Sequence, residues 1–101
     1  MLKKIQNLEI IKFSDLIDLI DNDYNYQNCS FKNGDIVNKI DENQGSGKVF
    51  YFAKENNLNQ EQTLLCFGEY YQDVLTDKNG NSHQNIRNFI KYGWNGIEFV
   101  K

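Results

Sequence analysis

The part of the chain with the clearest chemical potential is residues 82–94, which read SHQNIRNFIKYGW. Ile86, Phe89 and Ile90 have the spacing of one apolar helix face. The polar positions of the same stretch are His83, Gln84, Asn85, Arg87 and Asn88. A solvated helix face usually carries Lys and Glu, which have better helix propensity, so this set indicates directed hydrogen bonds. Those bonds hold either the fold or a ligand, and the sequence leaves both alternatives open.

Arg87 is the sharpest ligand-binding candidate in this stretch. Its guanidinium can grip a carboxylate or phosphate through two parallel hydrogen bonds. The alternative is an internal ion pair, because a buried charge must be paired. The acidic residues considered as its internal partners are Glu69, Asp73 and Asp35. The predicted ligand-binding set is Arg87, Asn85, Asn88, Gln84 and Tyr70.

Two residues are weak candidates for catalysis, Cys66 and His83. A thiolate nucleophile needs a nearby base, and these two residues fall on consecutive predicted helices. Cys66 stands in an apolar run, which favours a buried structural thiol as the alternative. A neutral His83 imidazole can serve as a base or can bond backbone groups. Because His83 is the single histidine and has no cysteine pair at metal spacing, we expect no metal site.

Size and charge limit the classes of function. With 101 residues, of which 40% are hydrophobic, the chain is long enough for one domain with one core, residues 1–101. The net charge of −3 argues against a broad nucleic-acid surface, which needs clustered Lys and Arg. A local basic spot remains an alternative, formed by Lys48, Lys54, Arg87 and Lys91.

Other signals point to a protein of the cytoplasm without membrane contact or cofactor. Two cysteines, Cys29 and Cys66, are too few for a disulfide scaffold, so we expect reduced thiols. No apolar run reaches membrane-spanning length, and polar residues interrupt the N-terminal segment, against a secretory signal. The glycine-rich run at 45–48 lacks the Gly-Lys-Ser/Thr ending of a phosphate-binding loop.

Four helices are predicted to position these side chains. They span residues 14–23, 46–56, 60–75 and 82–92, with Ser14, Ser46, Asn59 and Ser82 as N-caps. Gln62 stands three residues after Asn59, as in a capping box. The third helix is apolar around much of its circumference, so we expect it to be central and the most buried. Gly68 inside it indicates a close helix crossing or a ligand.

A small β-hairpin completes the predicted fold. Residues 28–31 and 36–38 form its strands around the turn signal Asn33-Gly34, and residues 96–100 supply a further short strand. The fold class is therefore α+β, mainly α, with about four helices packed around one core. Trp94 is expected to fold back onto that core.

The residues also resemble a known family, the HopJ type III effector proteins. The similar segments are FKNGD at 31–35, NQGSGKVFYFA at 43–53, EQTLLCFGEYYQDVL at 61–75 and HQNIRNFIKYGWNGIEF at 83–99. Together they cover nearly the whole chain. The chain departs from the pattern at Gly47, where members often have cysteine, and in the turn 77–81, which lacks a common proline.

The resemblance implies a small bacterial protein that stays in the cytoplasm or is delivered by a type III secretion system. It supplies no biochemical activity, so two hypotheses stand. The first is an effector-like module that binds a protein partner through an exposed apolar patch near the hairpin or helix 60–75. The second is an enzyme or small-molecule or anion binder with a housekeeping role, in which the His83, Arg87 and asparagine cluster converges on a pocket.

Overall fold

The computed structural model describes residues 1–100 and confirms the α+β, mainly α class. These residues form six α-helices, one short 3-10 helix and three strands. The α-helices are α1 (Leu2–Gln6), α2 (Phe13–Asp23), α3 (Gln44–Glu55), α4 (Gln60–Leu65), α5 (Glu69–Thr76) and α6 (Gln84–Tyr92). The strands are β1 (Ser30–Asn33), β2 (Ile36–Asn38) and β3 (Ile97–Val100), and the 3-10 helix is Gly93–Gly96.

The strands form one antiparallel sheet in the order β2-β1-β3. The predicted hairpin is present, but its turn is shifted by one residue, because Asn33 pairs with Ile36 and the turn consists of Gly34 and Asp35. Gly34 has a φ of 62°, as the first position of a type II′ turn requires. Asn33 is thereby drawn into β1, where its side chain is fully buried. β3 pairs with the other side of β1, as the pattern at 96–100 indicated.

The prediction of a single helix over residues 60–75 is wrong, because the helix is interrupted before Gly68 and the segment forms two helices, α4 and α5. Gly68 has a φ of 57° and a ψ of −129°, which only glycine adopts readily. A Cβ atom there would stand 2.7 Å from both the Ile11 carbonyl oxygen and the Phe13 nitrogen. The close approach anticipated at Gly68 is therefore real, but it is made with the segment that leads into α2.

The centre of the core is α3 rather than α4 or α5. Val49, Phe50, Phe52 and Ala53 are all fully buried, whereas α5 buries only Val74. The ring of Phe50 lies 5.1 to 6.3 Å from four other rings, those of Phe31, Phe67, Phe89 and Trp94. Trp94 packs against the core as predicted, and its Nε1 donates to the Leu58 carbonyl at 3.0 Å.

Three of the four predicted helix starts are displaced. α2 begins at Phe13, whose N–H donates to Glu69 Oε1 at 2.8 Å, so a distant carboxylate replaces the expected Ser14 cap. α3 and α6 begin after Asn43 and His83, which both adopt the left-handed conformation. Only the capping box of Asn59 and Gln62 is as predicted.

We expect Gly68→Ala to lower the free energy of unfolding by roughly 2 to 3 kcal/mol, because alanine adds backbone strain and meets the backbone of the α2 approach. Urea denaturation measures the loss. Gly45→Ala is the matched control, since a Cβ there makes only ordinary contact with Phe13 at 3.5 Å. Equal stability of the two variants would contradict the role assigned to Gly68.

Candidate functional site

A cleft of about 260 Å³ opens where the first turns of α3 and α6 face the start of α2 and the junction of α4 and α5. Its lining joins aromatic rings to uncharged polar groups. The lining residues are Phe13, Asn43, Gly45, Ser46, Phe67, Tyr70, His83, Gln84, Asn85 and Ile86. Four of the seven residues singled out from the sequence therefore meet here, namely Tyr70, His83, Gln84 and Asn85.

The aromatic wall of the cleft is built around Phe13. Its ring lies 5.0 Å from that of Tyr70 in an edge-to-face arrangement and stacks at 6.4 Å on Phe67. Tyr70 remains 40% exposed, so part of its ring faces solvent at the cleft. Glu69 fixes this wall by binding the Phe13 N–H, and that bond holds the pKa of the Glu69 carboxyl below its usual range.

His83 is positioned by its backbone and by two neighbours. It is a non-glycine residue with a φ of 52° and a ψ of 54°, a conformation that costs about 1 to 2 kcal/mol. Its ring lies 5.2 Å from the Tyr70 ring, and its Nε2 is 3.6 Å from Asp73 Oδ2. The imidazole is half-buried and stands between the aromatic wall and the exposed Asp73 carboxylate.

Two helix N-termini end at the cleft without side-chain caps. Neither Asn43 nor His83, the residues that precede these helices, bonds the first turn through its side chain. The first backbone N–H groups of an α-helix lack intrahelical partners. Gly45 and Ser46 on α3, with Gln84 and Asn85 on α6, place such groups beside the cleft. These backbone N–H groups and the Ser46 hydroxyl are hydrogen-bond donors at the cleft that the sequence alone did not single out.

Asn85 combines a position at the cleft with a structural bond network. Its Oδ1 accepts from Asn33 Nδ2 at 3.0 Å and from Asn38 Nδ2 at 3.1 Å, and its Nδ2 donates to Asn38 Oδ1 at 3.0 Å. Asn38 Oδ1 also accepts from Asn43 Nδ2 at 2.8 Å. Among the described residues Asn33 Oδ1 has no partner. The amide of Asn85 is thus engaged in joining α6 to the hairpin.

Asn88 and Arg87 lie outside the cleft lining. Asn88 Nδ2 donates to the Asn33 carbonyl and to Asp35 Oδ1, each at 2.7 Å, and the latter bond lowers the pKa of the Asp35 carboxyl. Arg87 Nη1 donates to the Lys78 carbonyl at 3.2 Å, and Arg87 Nε donates to the Ser82 carbonyl. Its nearest carboxylate is Asp77 at 4.0 Å, and only 14% of its side chain is exposed.

These contacts give Arg87 an internal role, since it holds the loop between α5 and α6. The partner is Asp77 rather than Glu69, Asp73 or Asp35.

The other members of the suggested basic spot have contacts of their own. Lys48 pairs with Asp21 at 2.7 Å, while Lys54 and Lys91 lie over aromatic rings.

Cys66 is buried beneath the α4–α5 junction and is not part of the cleft lining. Its Sγ lies 3.4 Å from the Gln62 carbonyl, to which it donates. Burial raises the pKa of the thiol to about 12. Because the thiolate is the nucleophilic form, this environment favours a protonated, structural cysteine.

Residues 1–100 contain no group of three or more His, Cys, Asp or Glu placed to hold a metal ion. None of the helices within the same range is long and apolar enough to cross a bilayer.

Comparison with known proteins now identifies the family. The model of the HopJ type III effector protein family matches residues 1–101. The chain belongs to the HopJ family. The crystal structure of the unknown function protein VPA0580 is similar, with 41% sequence identity and a TM-score of 0.94. The match covers 99% of this chain and 85% of that one. The search of curated proteins gave no match.

The structure shows what a side chain at position 47 would meet in place of Gly47. A Cβ atom at this position would stand 2.4 Å from Tyr26 Oη and 3.2 Å from the Phe31 ring. Tyr26 is itself held by a 2.6 Å bond to Gln44 Oε1. In this chain the tyrosine therefore occupies the space that a side chain at position 47 would need.

We expect Asn85→Ala to lower the free energy of unfolding by about 2 to 3 kcal/mol, because it removes a buried partner from both Asn33 and Asn38. Thermal or urea unfolding measures the change. The exposed Asn95→Ala serves as the control and should shift stability by no more than about 0.5 kcal/mol. If both variants unfold alike, the network does not join α6 to the hairpin energetically.

Proposed function

We propose that this HopJ protein binds a small organic ligand in the cleft between the first turns of α3 and α6. The observation that supports this is the convergence of Tyr70, His83 and Gln84 with Ser46 around one concave site. Ligand sites combine apolar walls with a few directed polar groups, and they commonly enclose roughly 300 to 1,000 Å³. A volume of about 260 Å³ therefore suits a ligand about the size of one ring.

The lining also indicates the chemistry of the ligand. It contains three aromatic side chains, amides, a hydroxyl and one imidazole, but no Lys, Arg, Asp or Glu. An apolar or aromatic body fits against Phe13 and Tyr70. An oxygen acceptor of the ligand fits the backbone donors at the two helix starts, where the helix dipoles favour partial negative charge. His83, with Asp73 behind it, adds an imidazole that can hydrogen-bond a polar group of the ligand.

This proposal is tested by titrating the ¹⁵N-labelled chain with a library of one-ring carboxylates, amides and alcohols. Binding should shift the backbone amides of Gly45, Ser46 and Gln84. Tyr70→Ala and His83→Asn should weaken the best binder by roughly tenfold, the effect of losing about 1.4 kcal/mol of contact. Asparagine is chosen at position 83 because it tolerates the left-handed conformation.

The matched control is Tyr92→Ala, because Tyr92 is 37% exposed and does not line the cleft. It should leave the affinity unchanged. A library without binders, or binders whose affinity Tyr92→Ala reduces as much as Tyr70→Ala does, would count against the cleft as a ligand site.

A second candidate function is effector-like contact with a partner protein after delivery by type III secretion. The specific observation in its favour is apolar exposure at the hairpin, where Val37 on β2 is 63% exposed and Ile40 just after it is 57% exposed. β2 is also an edge strand. Exposed apolar side chains at a sheet edge are an unfavourable arrangement unless something covers them.

For this candidate we expect Val37→Lys with Ile40→Lys to abolish capture of a partner that the unchanged chain retains from extracts. Lysine at both positions would introduce charges into an apolar contact. Ile10→Lys is the control, since Ile10 is 74% exposed and belongs to the segment between α1 and α2. A partner lost equally from both variants would show that the hairpin has no special role in capture.

A further inference from the structure

A second groove, separate from the cleft, lies between the C-terminal end of α3 and strand β3. It encloses about 430 Å³ and is lined by Lys54, Asn57, Leu58, Trp94 and Ile97. Leu58, Trp94 and Ile97 make its floor largely apolar. Its position differs from that of the exposed hairpin residues, because β2 and β3 lie on opposite sides of β1.

Ile97 of strand β3 lines this groove, and the outer edge of β3 is free. β3 pairs only with β1 among the described residues, so the backbone groups on its other side have no strand partner. An added strand can satisfy such groups and place alternate side chains on one face. For β3, Ile97 and Phe99 are partly buried, whereas Glu98 and Val100 are exposed. Side chains of an added strand on the Ile97 side would face the groove.

The groove also has a single uncompensated charge. Lys54 makes no ion pair within residues 1–100, and its Nζ lies 5.9 Å from the centre of the Phe99 ring. The side chain of Lys54 is thus held beside β3 with its charge available. A carboxylate on an incoming strand would meet this charge, so the groove favours acidic over basic segments.

We propose that the free edge of β3 binds an extended acidic segment of a partner protein. The segment adds as a fourth strand, packs an apolar side chain against Leu58 and Trp94 in the groove, and places a carboxylate two residues away against Lys54. The two-residue spacing follows because side chains i and i+2 of a strand share a face. This inference rests on the second candidate function, contact with a partner protein, and adds to the hairpin a second contact surface, at the opposite edge of the sheet, with its own chemistry.

The experiment uses a terminally blocked peptide, Thr-Leu-Thr-Glu-Thr, and the emission of Trp94, which is the single tryptophan of the chain. Titration with the peptide should shift Trp94 emission and the backbone amide signals of Ile97–Val100. A peptide with Lys in place of Glu should bind at least about threefold more weakly, as expected for a partly exposed charge pair. A peptide N-methylated at both Leu and the central Thr should not bind, because the N–H groups of consecutive strand residues point to opposite edges and one of these two must therefore face β3.

Lys54→Glu should reverse the preference between the Glu and Lys peptides, and Lys54→Gln should remove it. Lys39→Glu is the charge-matched control, because Lys39 is exposed and follows β2 at the other side of the sheet. It should leave the preference as it is. Equal binding of the Glu and Lys peptides, or tight binding of the N-methylated peptide, overturns the proposal.

Two further outcomes separate this proposal from the function on which it rests. Trp94 emission that changes with protein concentration, and not with peptide, would assign the edge to a second copy of the chain and overturn the peptide proposal. If no peptide affects Trp94 while Val37→Lys with Ile40→Lys still abolishes partner capture, the groove fails and protein contact through the hairpin stands.

Discussion

The buried asparagine network is the constraint on which the rest of the structure depends. Asn33 and Asn38 enter the core from the two strands of the hairpin, and Asn85 meets them from the first turn of α6. Buried amides are unfavourable unless they are hydrogen-bonded, and the three side chains bond one another here, with Asn33 Oδ1 left without a partner among the described residues. The network therefore sets the distance and rotation of α6 relative to the sheet.

The candidate ligand cleft is a consequence of that arrangement. Asn43 extends the network to the residue before α3, through its 2.8 Å bond to Asn38, so the starts of α3 and α6 are tied to the same strands. His83 and Asn43 take left-handed conformations at these two starts. Such conformations are strained for residues other than glycine and persist when the surrounding contacts determine them. With these conformations, the starts of α3 and α6 both line the cleft.

The chain belongs to the HopJ family and shares the fold of the VPA0580 structure. The same fold offers two different kinds of surface. The cleft is small, uncharged and aromatic, as suits a small ligand. The sheet has free edges on both sides, one exposing Val37 and the other bordering the groove beside Lys54. A ligand function and a protein-contact function would therefore use separate residues, and variants at one surface leave the other intact.

Local sequence patterns determined the element types. Apolar spacing gave the helices of α2, α3 and α6, the Asn59 capping box marked the start of α4, and alternation marked β3. The polar set in α6 was also recognisable, because asparagine and glutamine are uncommon choices for a solvated helix face. These features depend on neighbours in sequence, so the sequence carries them directly.

Tertiary structure decided the roles of those polar residues and the path of the chain between elements. Arg87 bonds the loop before α6, and Asn88 bonds the hairpin turn, because these partners become neighbours only after folding. Gly68 breaks the predicted long helix since the segment before α2 passes too close for a side chain. The cleft lining also depends on tertiary structure, because folding brings together Ser46, Phe13 and Phe67 from different parts of the chain. Their proximity to His83 depends on contacts between residues far apart in sequence, which local periodicity does not encode.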